Sequence, residues 1–310
     1  MKAPGSPPPD ALPDPRNRDL LVHVGGRLVP RAEARVSVFD SVVQGGDAVW
    51  EGLRVYQGRI FALEAHLERL ERSARAMAFA AVPERDVIKA ALFKTLEANG
   101  MRDGVHVRLT LTRGEKLTSG MDPRWNRSGP TLIVLAEWKA PVYPAGGIRL
   151  ITASTRRNPP GSIDSKIHHN NLINNILAKI EANAAGADDA VMLDQEGFLA
   201  ETNATNLFLV RRGELHTPAA DSCLPGITRG FVLEIAREAG LRVFERRITP
   251  AELWAADEAF TTGTMGELTP VLEVDGRILG EGRPGPVTGR LCRLFAERTL
   301  REGEPLPTPV

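Results

Sequence analysis

The segment Lys139-Ala-Pro-Val-Tyr-Pro-Ala-Gly-Gly147 constrains this chain more than any other. Proline withholds an amide N–H, and glycine loses the most backbone freedom on ordering, so two of each halt both helix and strand. Such a stretch reads as a linker between compact units. On each side of it, hairpin signals alternate with helical periodicity. Before it, residues 20–29 form a predicted hairpin around Gly25-Gly26, and residues 52–61 form another around Gln57-Gly58. An amphipathic helix follows over about 65–78, with Leu67, Leu70 and Ala74 on one face. A second helix over about 84–98 closes on Asn99-Gly100. Strands are expected at 105–112 and 131–137, around a polar loop at 117–129.

After the linker, a strand at 148–152 precedes a helix over 170–183, with Leu172, Ile173, Ile176, Leu177 and Ile180 at helical spacing. Short strands follow at 190–193, 198–201 and 207–210, then a helix at 228–239 stopped by Gly240. A strand at 258–262 and a terminal helix at 286–301 complete the pattern. Hairpins and helices mixed in both halves favour two mixed α/β domains over one doubly wound sheet. The expected division is a small domain at 19–138, the linker at 139–147 and a larger domain at 148–310. Residues 1–18, rich in proline and without an apolar core segment, read as a disordered tail and not as a signal peptide.

Lys plus Arg, 39 residues, equals Asp plus Glu, 39 residues, so no basic excess points to nucleic acid or an anionic membrane. The two cysteines, Cys223 and Cys292, lie far from each other and from any CxxC pair. Neither a disulfide framework nor a zinc site is expected, and the usage suits a reducing cytoplasm. No apolar run is long enough to span a bilayer.

Five segments carry chemistry. Lys166 stands in Asp164-Ser-Lys-Ile-His-His-Asn170, directly before a helix, followed by two histidines and two asparagines. A solvated charge is the plain reading of a single lysine, but that composition is poor for a surface turn. Glu201 ends a strand, as an ordinary exposed glutamate would, or as the anionic partner that keeps a pyridine nitrogen protonated. Leu224-Pro-Gly226-Ile227-Thr228 opens a helix, where N–H groups and the dipole favour an anion. Thr228 could equally be a simple cap. Thr264 and Met265, between Gly263 and Gly266, lie in a second glycine-bracketed turn able to nest an anion. Arg69, on the polar side of its helix, either pairs a phosphate or joins an i,i+4 surface network.

Taken in order, with Trp50-Glu-Gly-Leu-Arg-Val-Tyr and His66-Leu-Glu-Arg69-Leu, these segments resemble the class IV aminotransferases, the fold-type IV enzymes of pyridoxal 5′-phosphate (PLP). The resemblance covers residues 20–300 and implies a two-domain α/β fold, with the active site between the domains and completed by a second subunit of a homodimer. It implies that Lys166 is the Schiff-base lysine and Glu201 the pyridine partner. Arg69, Ile227, Thr228 and Thr264 then cradle the phosphate, and Leu224 packs on the ring. The implied activity moves an amino group from an amino acid to a 2-keto acid. An aminodeoxychorismate lyase-type elimination is the alternative chemistry on the same fold.

Within the family, the stretch at Trp50 is most similar to branched-chain enzymes, which place Arg108 and the amides of Thr264 and Met265 near a substrate carboxylate. Where those enzymes carry a cofactor-facing tyrosine five residues past the lysine this chain has Asn171, and where they carry a pocket tyrosine it has Gly45. The Arg-x-His pair of D-amino-acid enzymes is absent after Thr112-Arg113-Gly114. A branched-chain-like or broad donor range is therefore the leading expectation, with D-amino-acid and R-amine transamination as alternatives. His168 and His169 either line the site or begin the helix.

Overall fold

The computed structural model describes residues 12–308. The chain forms a seven-stranded and a nine-stranded sheet. The first contains β1 (Leu21–Val24), β2 (Arg27–Pro30), β3 (Ala48–Tyr56), β4 (Arg59–Ile60), β5 (Val105–Thr112) and β6 (Thr131–Trp138). Gly25 and Gly26 take φ of 55° and 87° between β1 and β2, and Gln57 and Gly58 take 45° and 76° between β3 and β4. These paired left-handed residues match the twist of two-residue hairpins. α1 (Ser41–Gly45) is short; α2 (Leu63–Ala76) and α3 (Arg85–Ala98) are longer. Leu63, Leu67, Leu70 and Ala74 of α2 join Ile88, Leu92 and Leu96 of α3 over Leu53, Val55 and Val107 in one buried cluster. The cluster exists because every second residue of a strand faces the same side.

The second sheet contains β7 (Ile148–Thr152), β8 (Asp189–Leu193), β9 (Leu199–Thr202), β10 (Asn206–Arg211), β11 (Glu214–Pro218), β12 (Val243–Arg246), β13 (Glu258–Gly263), β14 (Glu267–Val274) and β15 (Arg277–Ile278). It is mixed: β7 runs parallel to both β8 and β14, while β10, β13 and β14 are antiparallel neighbours. Of its helices, α4 (Ile173–Ala184) precedes β8, α5 (Ile227–Glu238) precedes β12, α6 (Pro250–Trp254) precedes β13, and α7 (Pro286–Arg301) follows β15. α5 and α7 bury Val232, Leu233, Leu291 and Phe295 against the stacked Phe208 and Phe260 rings.

Three features depart from expectation. Of the proposed disordered tail, residues 1–11 lie outside the described residues, but Pro15–Asp19 forms a 3-10 helix. Asn17 is buried there and bonds both the carbonyl and the amide of Trp138. The chain end returns to the first sheet, where β16 (Glu304–Pro305) pairs antiparallel with β4. Finally, α4 begins at Ile173 and not at 170, and its apolar stripe faces outward. Ile173 is 62 % exposed and Ile176 50 %, while the buried residues of α4 are Ala178 and Ala182.

Candidate active site

β4 covers β3 only at Val55 and Tyr56, which leaves the edge of β3 at Ala48–Trp50 with open backbone groups. Such groups need partners. The segment after Lys166 supplies them: Trp50 N–H donates to the His168 carbonyl at 3.0 Å, and Asn170 N–H to the Ala48 carbonyl at 2.8 Å. Val49 and His169 pair as an isolated antiparallel bridge. This docking fixes the lysine-containing loop against the first sheet.

A cavity of about 260 Å³ lies beside that junction. Ile227 and Thr228 of the α5 N-terminus, the Gly263-Thr264-Met265 turn after β13, and Arg69 of α2 line it. The first N–H groups of a helix have no partner within the helix, and the dipole adds partial positive charge, so this wall suits an anion. Gly226 is required here. A Cβ on it would fall 2.0 Å from Asn206 Oδ1.

Glu201 is buried in the same cavity wall. Its Oε1 accepts from Arg157 Nε at 2.7 Å, and its Oε2 from Asn206 Nδ2 at 3.2 Å and Leu224 N–H at 3.4 Å. Burial pushes this carboxyl up, and the Arg157 guanidinium pulls against it. A protonated ring nitrogen brought to the cavity would reinforce the charged form. Leu224 lines the cavity, while the neighbouring Cys223 thiol is buried and pushed up to about 12, which leaves it inert.

Arg69 sits on the buried face of α2 and not on its polar side. Its Nε and Nη2 donate to both oxygens of Glu51 at 2.8 and 2.7 Å. The same carboxylate receives His66 Nδ1 at 2.7 Å and His168 Nδ1 at 3.2 Å. Glu51 lies well below the ordinary carboxylate range: His168 and Arg69 outweigh its burial. His168 also packs against Trp50 with ring centres 4.1 Å apart and the planes tilted by 35°, and burial pushes its imidazole down to about 4. Both residues line this cavity and a second one of about 190 Å³, where Arg108 also appears. Arg108 lies over the Trp50 ring at 3.3 Å and donates to Asn170 Oδ1 at 2.7 Å.

The structure therefore brings together Trp50, Arg69, Glu201, Leu224, Ile227, Thr228, Thr264 and Met265, with Arg108 in the adjoining cavity. It does not bring the Lys166 amine in. Ser165 and Ile167 line the second cavity, but the Lys166 side chain is 45 % exposed, its Nζ 3.4 Å from the Asp221 carbonyl. The reason is local: Asp164 to Ile167 closes a turn, held by Ile167 N–H on the Asp164 carbonyl and Lys166 N–H on the Asp164 carboxylate. Asn171 is exposed, packed beside Gly46. Sequence reasoning missed Glu51, Arg157 and Asn206, each polar, buried and bonded to a residue it did find. It also missed Tyr143, a cavity-lining linker residue whose hydroxyl bonds Asp189.

The donor set fits PLP: a buried carboxylate for the ring nitrogen, an apolar residue for the ring face, and helix-terminal donors with an arginine for the phosphate. Two mixed sheets with that set at one cavity match the fold-type IV architecture. A family model described as amino-transferase class IV matches residues 48–274, and the chain belongs to that family. It is 60 % identical over 302 residues to branched-chain-amino-acid aminotransferase-like protein 2 of Arabidopsis thaliana, covering 97 % of this chain and 54 % of that protein. The chain thus spans about half the length of that relative. It is 37 % identical over 290 residues to the branched-chain-amino-acid aminotransferase of Pseudomonas aeruginosa, covering 90 % of this chain and 92 % of the other. The branched-chain aminotransferase of the thermophilic archaeon Thermoproteus uzoniensis, solved with norvaline, superposes with a TM-score of 0.85 at 34 % identity, covering 91 % of this chain and 95 % of the other.

Proposed function

We propose that this chain is a PLP-dependent aminotransferase that moves an amino group from an apolar, branched-chain-like amino acid to a 2-keto acid. The observation that carries the reading is Glu201, a buried carboxylate held by Arg157 in the same cavity as the α5 N-terminus. When bound, PLP supplies an electron sink for charge developing at the substrate α-carbon. Glu201 keeps the ring nitrogen protonated. Ile227, Thr228, Thr264 and Arg69 hold the phosphate, and Leu224 fixes the ring plane. Trp50, Val142, Tyr143 and Met265 supply apolar wall for a substrate side chain.

Lys166 is the residue we assign to cofactor attachment and to proton movement at the substrate α-carbon. No lysine lines either cavity among the described residues, while both chain neighbours of Lys166 line one. Its entry requires the Asp164–Ile167 turn to reverse. A second copy of the chain is the partner we assign to the exposed face of α4. Apart from β16, which returns to the first sheet, the strands of the two sheets fall on either side of residues 139–147, which supports a two-domain division. Both described cysteines are free thiols and no described helix is long and apolar enough to cross a membrane, which supports a cytoplasmic reading.

The test is a half-reaction screen. Single L- and D-amino acids and R- and S-amines are added to the PLP-loaded enzyme, and the visible absorbance of the lysine-bound cofactor is followed. Bleaching by L-leucine or L-valine, absent in Lys166→Ala, is the expected result. Pyruvate released without a keto acceptor would instead identify the lyase chemistry, and a protein that takes up no cofactor would overturn the reading.

A further inference from the structure

The linker supplies part of the wall of the larger cavity, through Val142 and Tyr143, yet little holds it there. From Lys139 to Gly146 every residue is exposed except Tyr143. Pro141 and Pro144 have no amide N–H to donate. The Val142 N–H meets the Met265 carbonyl at 3.1 Å, a bond beside a half-exposed side chain. A segment with so few buried contacts opens easily, so its position depends on the one side chain it buries.

That side chain has a specific seat. The Tyr143 ring lies against Gly266, where a Cβ would fall 2.7 Å from Tyr143 Cδ2. Its hydroxyl donates to Asp189 Oδ2. Asp189 opens β8, a strand buried along its whole length and apolar at every later position, and is itself 1 % exposed. An acid in such a place is costly unless it is paired and its oxygens are bonded. Lys179 of α4 pairs with Oδ1 at 2.9 Å, which leaves Oδ2 to the Tyr143 hydroxyl. Burial, then the Asp189 charge, push the Tyr143 phenol well above its ordinary range, so it remains a donor at neutral pH. Asp189 borders neither cavity, and its effect on the site passes through Tyr143.

We propose that Asp189 is a positioning residue of this site: through the Tyr143 hydroxyl it holds the linker against the Thr264–Gly266 turn and so fixes the room left for a substrate side chain. The proposal rests on the aminotransferase reading and deepens it by naming what sets the size of the apolar pocket. Lys179 keeps the carboxylate charged and oriented. Gly266 lets the ring lie close, and Asp189 prevents it from swinging outward with the exposed residues on either side.

Two measurements on the PLP-loaded enzyme test this: hydrogen exchange at the Val142 amide, and kcat/KM for L-leucine against L-alanine with 2-oxoglutarate as acceptor. Tyr143→Phe removes one oxygen and keeps the ring, and Asp189→Ala leaves Lys179, whose side chain is already 39 % exposed, free to reach water. Each is expected to speed Val142 exchange about tenfold and to lower the preference for L-leucine about tenfold. Asp189→Asn, which can still bond both the hydroxyl and the ammonium, should stay within about threefold of the wild type in both measurements. A general loss of folding would depress both substrates alike and leave the ratio unmoved. Tyr143→Phe combined with Asp189→Ala should do no more than either change alone, because both remove the same bond. A leucine preference within about twofold of the wild type in Tyr143→Phe overturns the proposal whatever the exchange shows, as do additive losses in the double variant. If Asp189→Ala does not fold, Tyr143→Phe and Asp189→Asn decide. Transfer from L-leucine with an unchanged preference in the variants sinks only the role of Asp189. No transfer from any donor sinks the aminotransferase reading, and Val142 exchange then still reports whether Asp189 holds the linker.

Discussion

Replacing Glu51 by glutamine tests whether Arg69, the arginine proposed to meet the phosphate, is held by one buried carboxylate. Glu51 is fully buried and accepts from Arg69 twice, from His66 and from His168, all within 3.2 Å. Glutamine keeps the shape but loses the charge, and its amide turns two hydrogens toward a guanidinium that can only donate. Removing one partner of a buried ion pair typically costs about 3–5 kcal/mol, because the other charge stays buried and unpaired. For a chain of this size each kcal/mol lowers Tm by roughly 2 °C, so Glu51→Gln should melt roughly 6–10 °C below the wild type at pH 7. Glu71→Gln is the control: Glu71 also pairs with an arginine, Arg85, but both are partly exposed, and such pairs contribute about 0–1 kcal/mol. Scanning calorimetry of the three proteins decides the matter. If Glu51→Gln melts within about 2 °C of the wild type, Arg69 has another anchor and the ion-pair reasoning is wrong.

Two further outcomes follow from the same neighbourhood. Gly226→Ala should displace Asn206 and break its bonds to Glu201 and the Leu224 carbonyl, a loss of about 2 kcal/mol or roughly thirtyfold in PLP affinity, read by fluorescence titration of the apoenzyme. Stability should fall on acidification between about pH 6.5 and about pH 4, because in that window the unfolded chain protonates His168 while the folded protein, which holds it at about 4, does not. The gap corresponds to about 3 kcal/mol for His168 alone, so His168→Asn should flatten the dependence of Tm on pH, and an unchanged slope would remove His168 as its source.

How far the chain reads from its sequence depends on whether a residue's role is local. The Gly25-Gly26 and Gln57-Gly58 hairpins, the strand at Val105–Thr112 and the helix at Pro286–Arg301 are encoded by contiguous residues, and the structure has them where the pattern places them. The α5 N-terminus is local too: Gly226-Ile227-Thr228 identifies itself by what a helix start leaves unbonded. Arg69 is not. Its helix offers several charged positions, and only the packing of α2 on β3 reveals that this one meets a buried carboxylate. Arg157 lies 44 residues before Glu201, a separation at which no pattern couples them. The α4 stripe marks the converse limit: its periodicity specifies an apolar face without saying whether the chain's own core or another molecule covers it.

Strand β3 makes the same point more sharply. Trp50-Glu51-Gly52-Leu53-Arg54 sends successive side chains to opposite faces as any strand does, but it is covered on both faces and each face mixes polar with apolar residues. The face toward α2 and α3 carries Leu53 and Val55, but also Glu51, an acid placed among leucines because Arg69 and His66 rise from α2 to meet it. The other face carries Trp50, Gly52 and Arg54 toward the cavities, the side where an apolar pattern would have been cheapest. A single strand thus orients Arg69 through one face and borders the cavities with the other. A one-residue slip of β3 against β5 would exchange the two sets. Glu51 would then meet the cationic face of Arg108 and His106, and Arg69 would lose its anchor. The eight-residue ladder from Ala48–Thr112 to Val55–Val105 holds that register, and the site depends on it as much as on any residue that touches the ligand.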